Sequence, residues 1–389
     1  MTRSLVWIGA GYLVYFGAVG VFQPYFPLHL AALGVSGAGI GMLLALWSAM
    51  RILGPLGAAW LADALNDRRV ALRLFGVGSV LFMALLMLVG SLWAMAAALS
   101  IASFFFNGLV PVYDTYVLDR LGQQSHGYGR LRLWGSIGFI ATSASFGVLS
   151  GRYGVQIVLP AAVMLVVCTA GILMGLPALP DRQRRLDAAG ESFARALLTP
   201  RVLVFLGVCF FHLAGFGAYY GFYTLYLTGF GYSPSVIGLY WAAGVCAEIA
   251  LFALAARILQ RFSLSLLLEL ALGLSCLRWI IVAAVPQRPS VMLAAQVLHL
   301  AGFGLFHMVT VLLGPRLLPS TAAARAQALV SSVGWGAGGI AGSVLAGLCW
   351  DRYGHRSVFA VSAVFAGIAW LLAAIGLRGV ASDSVGAAG

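Results

Sequence analysis

The sequence predicts an all-α polytopic membrane protein, with twelve transmembrane helices in two six-helix pseudo-symmetric halves. Three observations carry that expectation. First, 62% of the 389 residues are apolar and 9% are charged, whereas a soluble chain carries about a quarter charged residues. Too little polar surface remains to coat a water-soluble globule, which excludes soluble enzymes, secreted domains and disordered proteins. Second, the apolar residues fall in continuous runs of the ~20 residues a bilayer requires, without the period-two alternation of barrel strands. Third, the two halves of the chain repeat each other.

Cutting at the polar breaks places helices near 5–29, 37–61, 70–90, 93–117, 131–150 and 156–176. Six more follow near 202–228, 235–256, 264–285, 289–313, 323–347 and 356–376. The first run starts straight after residues 1–4 with no small-residue cleavage site, so it reads as a spanning helix and not a removable signal. The polar stretch 177–201 (Asp181, Arg182, Arg184, Arg185, Asp187, Glu191) reads as a cytoplasmic linker. It separates an N-terminal bundle, 1–176, from a C-terminal bundle, 202–378, with a tail at 379–389.

Orientation follows from arginine, since all 23 basic residues are arginine. With the N-terminus inside, seventeen lie on the cytoplasmic side, among them Arg68, Arg69, Arg73, Arg120, Arg130 and Arg132. Only Arg152, Arg288, Arg352 and Arg356 lie on the other. This positive-inside bias puts both termini in the cytoplasm, as expected of a multi-pass protein of the inner (cytoplasmic) membrane. The net charge of +12 therefore points to the bilayer and not to nucleic acid.

The repeat has two anchors. Gly151-Arg-Tyr-Gly154 recurs as Asp351-Arg-Tyr-Gly354, and Gly138, Ile140, Ala141, Ser143 and Gly147 recur as Gly338, Ile340, Ala341, Ser343 and Gly347, at an offset of 200. Near the start of each half, Gly34, Ser36, Ile40 and Gly41 match Gly231, Ser233, Ile237 and Gly238 at an offset of 197. Equal helix counts in the same orientation imply parallel repeats with a midplane site between them.

Charges inside spans cost ~2.5–3.5 kcal/mol each on insertion scales. Arg51, Asp114, Arg132, Glu248 and Arg278 lie in or at the ends of spans, so they are expected to face an interior or an aqueous cavity. Arg51 and Glu248 are equivalent at the 197 offset, which places both toward a shared cavity, unless Arg51 serves only to fix helix register. Glu248, flanked by Gly244, Val245, Cys246 and Ala247, has no local partner and reads as a carrier of an exchangeable proton. His212, His299 and His307 are also embedded. The last two are eight apart on one expected face, extended by Gln296 and Phe303, which suits a cavity wall or a proton relay as well as structural hydrogen bonding. Among the aromatics, Tyr12, Tyr15, Phe16, Phe216, Tyr219 and Tyr220 read mainly as packing. Those beside Gln23 and on the glycine-rich stretch 215–221 could instead line a path and stack on a ring.

The five cysteines lie in apolar runs at no metal-ligand spacing, so neither a disulfide framework nor a metal is expected. There is no GxSxG, HExxH, CxxC or Walker loop, hence no enzyme and no ATP hydrolysis. No cofactor is expected; a proton gradient is the energy source, and a monomer suffices for a pathway.

Several motifs resemble the major facilitator superfamily, in the branch of lactose permease, nucleoside–proton symporters and, most of all, phenylpropionate permeases. Leu61-Ala-Asp63 followed by Arg68-Arg69 is similar to the superfamily's gating loop between helices 2 and 3, with Asn66 where a glycine is expected and Asp67 as an extra acid. Tyr128-Gly-Arg-Leu-Arg-Leu-Trp-Gly135 is similar to the helix 4–5 signature of the branch. In lactose permease an acid late in helix 4 pairs with the second arginine of that signature, and both contact substrate; the matching residues are Asp114 and Arg132. Ala218-Tyr-Tyr-Gly-Phe222, Leu277-Arg-Trp279 and Gln296-Val-Leu-His299 resemble the phenylpropionate permeases. Lactose permease carries a coupling glutamate three residues after its helix 10 histidine, where this chain has Gly302, so Glu248 or a histidine must serve instead.

The resemblance implies a proton-driven symporter for a small organic solute, an aromatic acid such as phenylpropionate in the leading case. Asp114, Arg132 and Arg278, with Gln23, Tyr219, Tyr220 and Phe303, would bind it. Glu248, His299, His307 and Arg51 would handle the proton, and Asp63, Arg68 and Arg69 would form the gating loop. A sugar or nucleoside symporter, a proton-antiport exporter, and a membrane sensor or lipid-handling protein on the same scaffold are the alternatives.

Overall fold

The computed structural model describes residues 3–122, 127–177, 197–318 and 323–377. Arg182, Arg184, Arg185, Arg195 and Arg378 lie outside these residues, as do the rest of the expected linker and tail and the side chains of Arg3 and Arg325. All twelve expected spans are helical. In the first half they are α1 (Arg3–Ala32), α2 (Gly37–Ala64), α3 (Arg68–Leu85), α4 (Leu92–Leu121), α5 (Tyr128–Tyr153) and α6 (Val158–Met174). In the second they are α7 (Pro200–Gly229), α8 (Pro234–Arg261), α9 (Leu264–Ala284), α10 (Pro289–Leu317), α11 (323–353) and α12 (His355–Gly376).

Among the described residues, eleven helices are long and apolar enough to cross a membrane. The exception is α3. It is a helix of 18 residues, against the expected 70–90, and its first two turns hold Arg68, Arg69 and Arg73. Two other helices differ from expectation in kind. α10 passes through a π-helical segment at Leu300–Leu305, and α11 through another at Ser331–Gly338. Both segments are glycine-rich, and glycine lets the wider turn form without side-chain collision.

Backbone geometry repeats along with the sequence. Gly34 and Gly231 have φ of 80° and 82°, and Gly154 and Gly354 have 83° and 84°; all four end a helix in the region that favours glycine. Ser36 accepts from the backbone of Gly39, and Ser233 accepts from that of Val236, the same three-residue cap in each half.

The packing repeats too. A Cβ on Gly138 would strike the Leu13 carbonyl, and one on Gly338 would strike that of Phe210. Thr142 donates to the Gly17 carbonyl at 2.9 Å, while its counterpart Gly342 lies against Ala214. So α5 crosses α1 as α11 crosses α7, with small residues allowing backbones to approach.

Two compact units result, one of Met1–Arg182 with Tyr223–Ala242, the other of Gln183–Phe222 with Ala243–Gly389. In the first, α1 packs on α5 and α6, α2 on α4, and α3 on α4 and α6. The segment Tyr223–Ala242 joins this unit through glycines: a Cβ on Gly238 would meet the Ser143 carbonyl and the Tyr25 hydroxyl, and one on Gly147 the Pro234 carbonyl. In the second, α9 packs against α12 and α10, and α11 against α12.

Candidate functional site

The second unit contains a buried polar cluster drawn from four helices. Arg278 on α9 is 1% exposed. Its Nε donates to the Ala295 carbonyl at 3.0 Å and its Nη2 to Gln296 Oε1 at 2.9 Å. The guanidinium lies 4.4 Å from the ring centroid of Tyr219 and 4.1 Å from that of Trp279, a geometry that stabilises a cation without a carboxylate. Tyr219 also donates to Gln296 Oε1, at 3.3 Å. Gln296 is fully buried, and its Nε2 has no acceptor among the described residues.

Beside this group, Glu248 on α8 meets His299 on α10. Oε1 lies 2.8 Å from Nε2, with the two residues 7% and 4% exposed. The flanking residues of Glu248 supply no partner, as the sequence indicates, but the packing of α10 does. Two glycines make room for the contact. A Cβ on Gly244 would come within 3.2 Å of the His299 ring, and one on Gly304 within 3.5 Å of Glu248 Cγ. Arg278 is an electrostatic neighbour of both members of the pair. Phe303 stacks on His299 at 5.5 Å, and Tyr219 lies 5.1 Å from it. Gly302 carries no side chain because Ser275 Oγ occupies the space one would take.

His307 does not join the pair. It is exposed, on a pocket with Thr310, Gln327, Ser331 and Trp335. A regular α10 would set the two histidines on one face; the π-helical segment between them breaks that register. Tyr220 is half-buried, its ring 6.0 Å from those of Phe216 and Trp335.

The first unit holds a different cluster. Asp114 on α4 and Arg132 on α5 are both half-buried. They form no direct ion pair; both engage Tyr12 on α1. The Tyr12 hydroxyl donates to Asp114 Oδ1 at 2.5 Å. The Arg132 guanidinium lies 5.6 Å from the Tyr12 centroid and 3.9 Å from that of Phe16. Tyr128 is a further neighbour of Asp114. Arg132 has these ring contacts but no hydrogen-bond acceptor among the described residues, so its donors are available to an anion. Elsewhere in this unit, Gln23 is half-buried on α1 and Arg51 half-buried on α2, near Tyr15.

At the α2–α3 turn, Asn66 has φ of 49°, which explains how it replaces a glycine: asparagine tolerates the left-handed region better than most residues. Asp67 is the N-cap of α3, accepting from the Arg69 backbone at 2.8 Å, and its other oxygen pairs with Arg69 Nη2 at 2.7 Å. The Arg69 hydrogen bond holds the Asp67 carboxyl below the usual carboxylate range. Arg68 pairs with Asp119, tying α3 to α4, and Asp63 is exposed. Sequence reasoning named the residues of this loop but not the capping role of the additional acid. It also gave Tyr12 and Tyr128 no site role, although Tyr128 opens the quoted signature and Tyr12 stands in the aromatic group of the first helix.

A family model described as the MFS_1 like family matches residues 5–361. A probable 3-phenylpropionic acid transporter of Escherichia coli (strain K12) is 29% identical over 385 residues, covering 96% of each chain. A maltose permease of Geobacillus stearothermophilus is 28% identical over 353 residues, 90% of this chain and 88% of that one. In fold, the chain is similar to the crystal structure of the nucleoside transporter NupG, with a TM-score of 0.84, 17% identity, and coverage of 97% and 98%.

Proposed function

The chain belongs to the MFS_1 like family, and from that premise we propose that it is a proton-coupled symporter importing a small aromatic carboxylic acid by alternating access. The observation that carries the coupling is the buried Glu248–His299 contact at 2.8 Å. A carboxyl and an imidazole at that distance share a proton that can be passed on, and inside a membrane such groups mark proton pathways. Arg278 is the fixed charge that this proton answers to, and Gln296 with Tyr219 holds it in place.

The carboxylate preference rests on Arg132, whose guanidinium is half-buried and without an acceptor. Guanidinium forks match carboxylates bidentately. Phe16 and Tyr12 beside it offer ring faces for an aryl group, and the Escherichia coli relative is described as a probable 3-phenylpropionic acid transporter. Asp114, with the hydroxyls of Tyr12 and Tyr128, would suit a sugar or nucleoside, which keeps a hydroxylated solute as the second reading. The arginine bias puts both termini in the cytoplasm and the protein in the cytoplasmic membrane.

Uptake by reconstituted proteoliposomes under an imposed inward proton gradient tests this reading, with 3-phenylpropionate, maltose and a nucleoside as substrates. Accumulation of the aromatic acid that collapses with a protonophore is the expected result. Accumulation of maltose or the nucleoside alone would replace the substrate class, and indifference to the gradient would remove the coupling.

A further inference from the structure

His212 is the embedded histidine without a part in the transport scheme, yet it is fully buried on α7. Its Nε2 lies 2.7 Å from the Gly302 carbonyl of α10. A carbonyl only accepts, so Nε2 carries the hydrogen, and Nδ1 has no partner among the described residues.

The place of that bond matters. In an α-helix the Phe306 N–H would bond the carbonyl four residues back, that of Gly302. Here it bonds Ala301 instead, five residues back, and Phe303. The Gly302 carbonyl receives the imidazole N–H from α7. His212 also lies 4.1 Å, ring to ring, from Phe306, where the π-helical segment Leu300–Leu305 ends. Phe216, one turn along α7, lies 5.7 Å from His299, where the segment begins. So α7 holds the segment at its middle and both ends. Ser275 of α9 also lies against Gly302.

We propose that His212 is a positioning residue: its hydrogen bond to Gly302 keeps the π-helical turn in α10, and that turn aims His299 at Glu248. Relaxing the turn to an α-helix changes the register by one residue, a rotation of about 100° between the parts of the helix on either side. The His299 ring would then leave the carboxyl. This inference rests on the proposed coupling role of Glu248 and His299. The titratable and charged groups around Glu248 are His299 on α10, Arg278 on α9 and Tyr219 on α7; none is altered by a substitution at position 212.

The test uses full-length protein in proteoliposomes. His212→Met and His212→Asn each remove a donor able to reach Gly302, while His212→Gln keeps one of comparable reach. Two quantities are read: pH-driven accumulation relative to substrate exchange, and the pH midpoint of the protonated-carboxyl infrared band of Glu248, assigned by its loss in Glu248→Gln. Losing one buried hydrogen bond is worth about tenfold. Accumulation in the Met and Asn variants should fall by about that factor, with exchange little changed and the midpoint moved by about one pH unit; His212→Gln should restore both.

An unmoved midpoint and unchanged accumulation in whichever of the Met and Asn variants folds would overturn the positioning role. So would a protein that folds only with a donor at 212, since the histidine would then serve stability alone. Failure of the coupling scheme itself shows differently, as normal accumulation in Glu248→Gln.

Discussion

In the second unit, Arg278, Gln296, Tyr219, Glu248 and His299 are all buried and bonded mainly to one another. In the first, Asp114 and Arg132 are half-buried and linked through Tyr12, with Tyr128 alongside, and Arg132 keeps its hydrogen-bond donors unused. The two clusters occupy the two halves of one internal repeat, yet they solve the problem of membrane-embedded charge in opposite ways. One engages its charges with hydrogen bonds and rings of the protein; the other leaves a cation with ring contacts and its donors open. A group that must hold a proton benefits from exclusion of water and fixed neighbours, whereas a group that must bind a passing anion has to keep donors free. Under the proposed function, this asymmetry would divide labour between coupling and substrate recognition.

That division is broken or sharpened most by Glu248→Gln. Removing the exchangeable proton while keeping the shape should abolish accumulation under a pH gradient and leave exchange of preloaded substrate near the wild-type rate. Retained accumulation would put the coupling outside the second cluster. Next come the two arginines. Arg132→Ala should reduce transport by roughly 10–100-fold, the worth of charge-assisted hydrogen bonds to a carboxylate, while leaving the melting temperature in detergent nearly unchanged. Arg278→Ala should do the reverse in emphasis. It removes the charged hydrogen bonds to Gln296 Oε1 and the Ala295 carbonyl, at roughly 1.5–3 kcal/mol each, so the melting temperature falls markedly. Equal effects of the two on stability would erase the contrast. A smaller effect is expected from Tyr12→Phe, which frees Asp114 Oδ1. About 1 kcal/mol corresponds to a fewfold rise in KM for uptake, with the pH profile unchanged.

How much of this was legible in the sequence depends on the range of the interaction. Continuous apolar runs fix helices locally, and so the twelve helices lie close to their expected bounds; α3 ends at Leu85, where Met87 and Leu88 turn to bonds three residues back although the apolar run continues to Val89. The repeat was legible because positive-φ glycines and helix-crossing glycines, such as Gly34 and Gly138, are tied to sequence position by backbone sterics. Partners across helices were not. Glu248 looked solitary because its partner lies 51 positions on, on another helix. The equal face of His299 and His307 assumed a regular helix, and one extra residue in a glycine-rich turn leaves no mark in hydropathy. Asp114 and Arg132 were expected to pair by resemblance, whereas the structure interposes Tyr12, one aromatic among many in α1.

The α2–α3 turn gives the smallest and most local prediction, and it separates loop geometry from both clusters. Asp67 caps α3 and pairs with Arg69, so Asp67→Ala should cost about 1 kcal/mol of stability, typical of a lost N-cap. Because Arg69 holds the carboxyl below its usual range, the stabilisation is fully present above the unfolded value near ~3.9 and is lost as pH falls through the folded value. The melting difference between wild type and Asp67→Ala should therefore be constant from neutral pH down to about 5 and should shrink below 4. Asn66→Gly, which relieves the left-handed backbone at φ 49°, should be neutral or slightly stabilising, while Asn66→Val should destabilise. Transport by Asp67→Ala, measured at neutral pH, should keep the KM of the wild type, since neither cluster touches this turn; a changed KM would mean that the turn acts on substrate recognition and not on the stability of α3 alone.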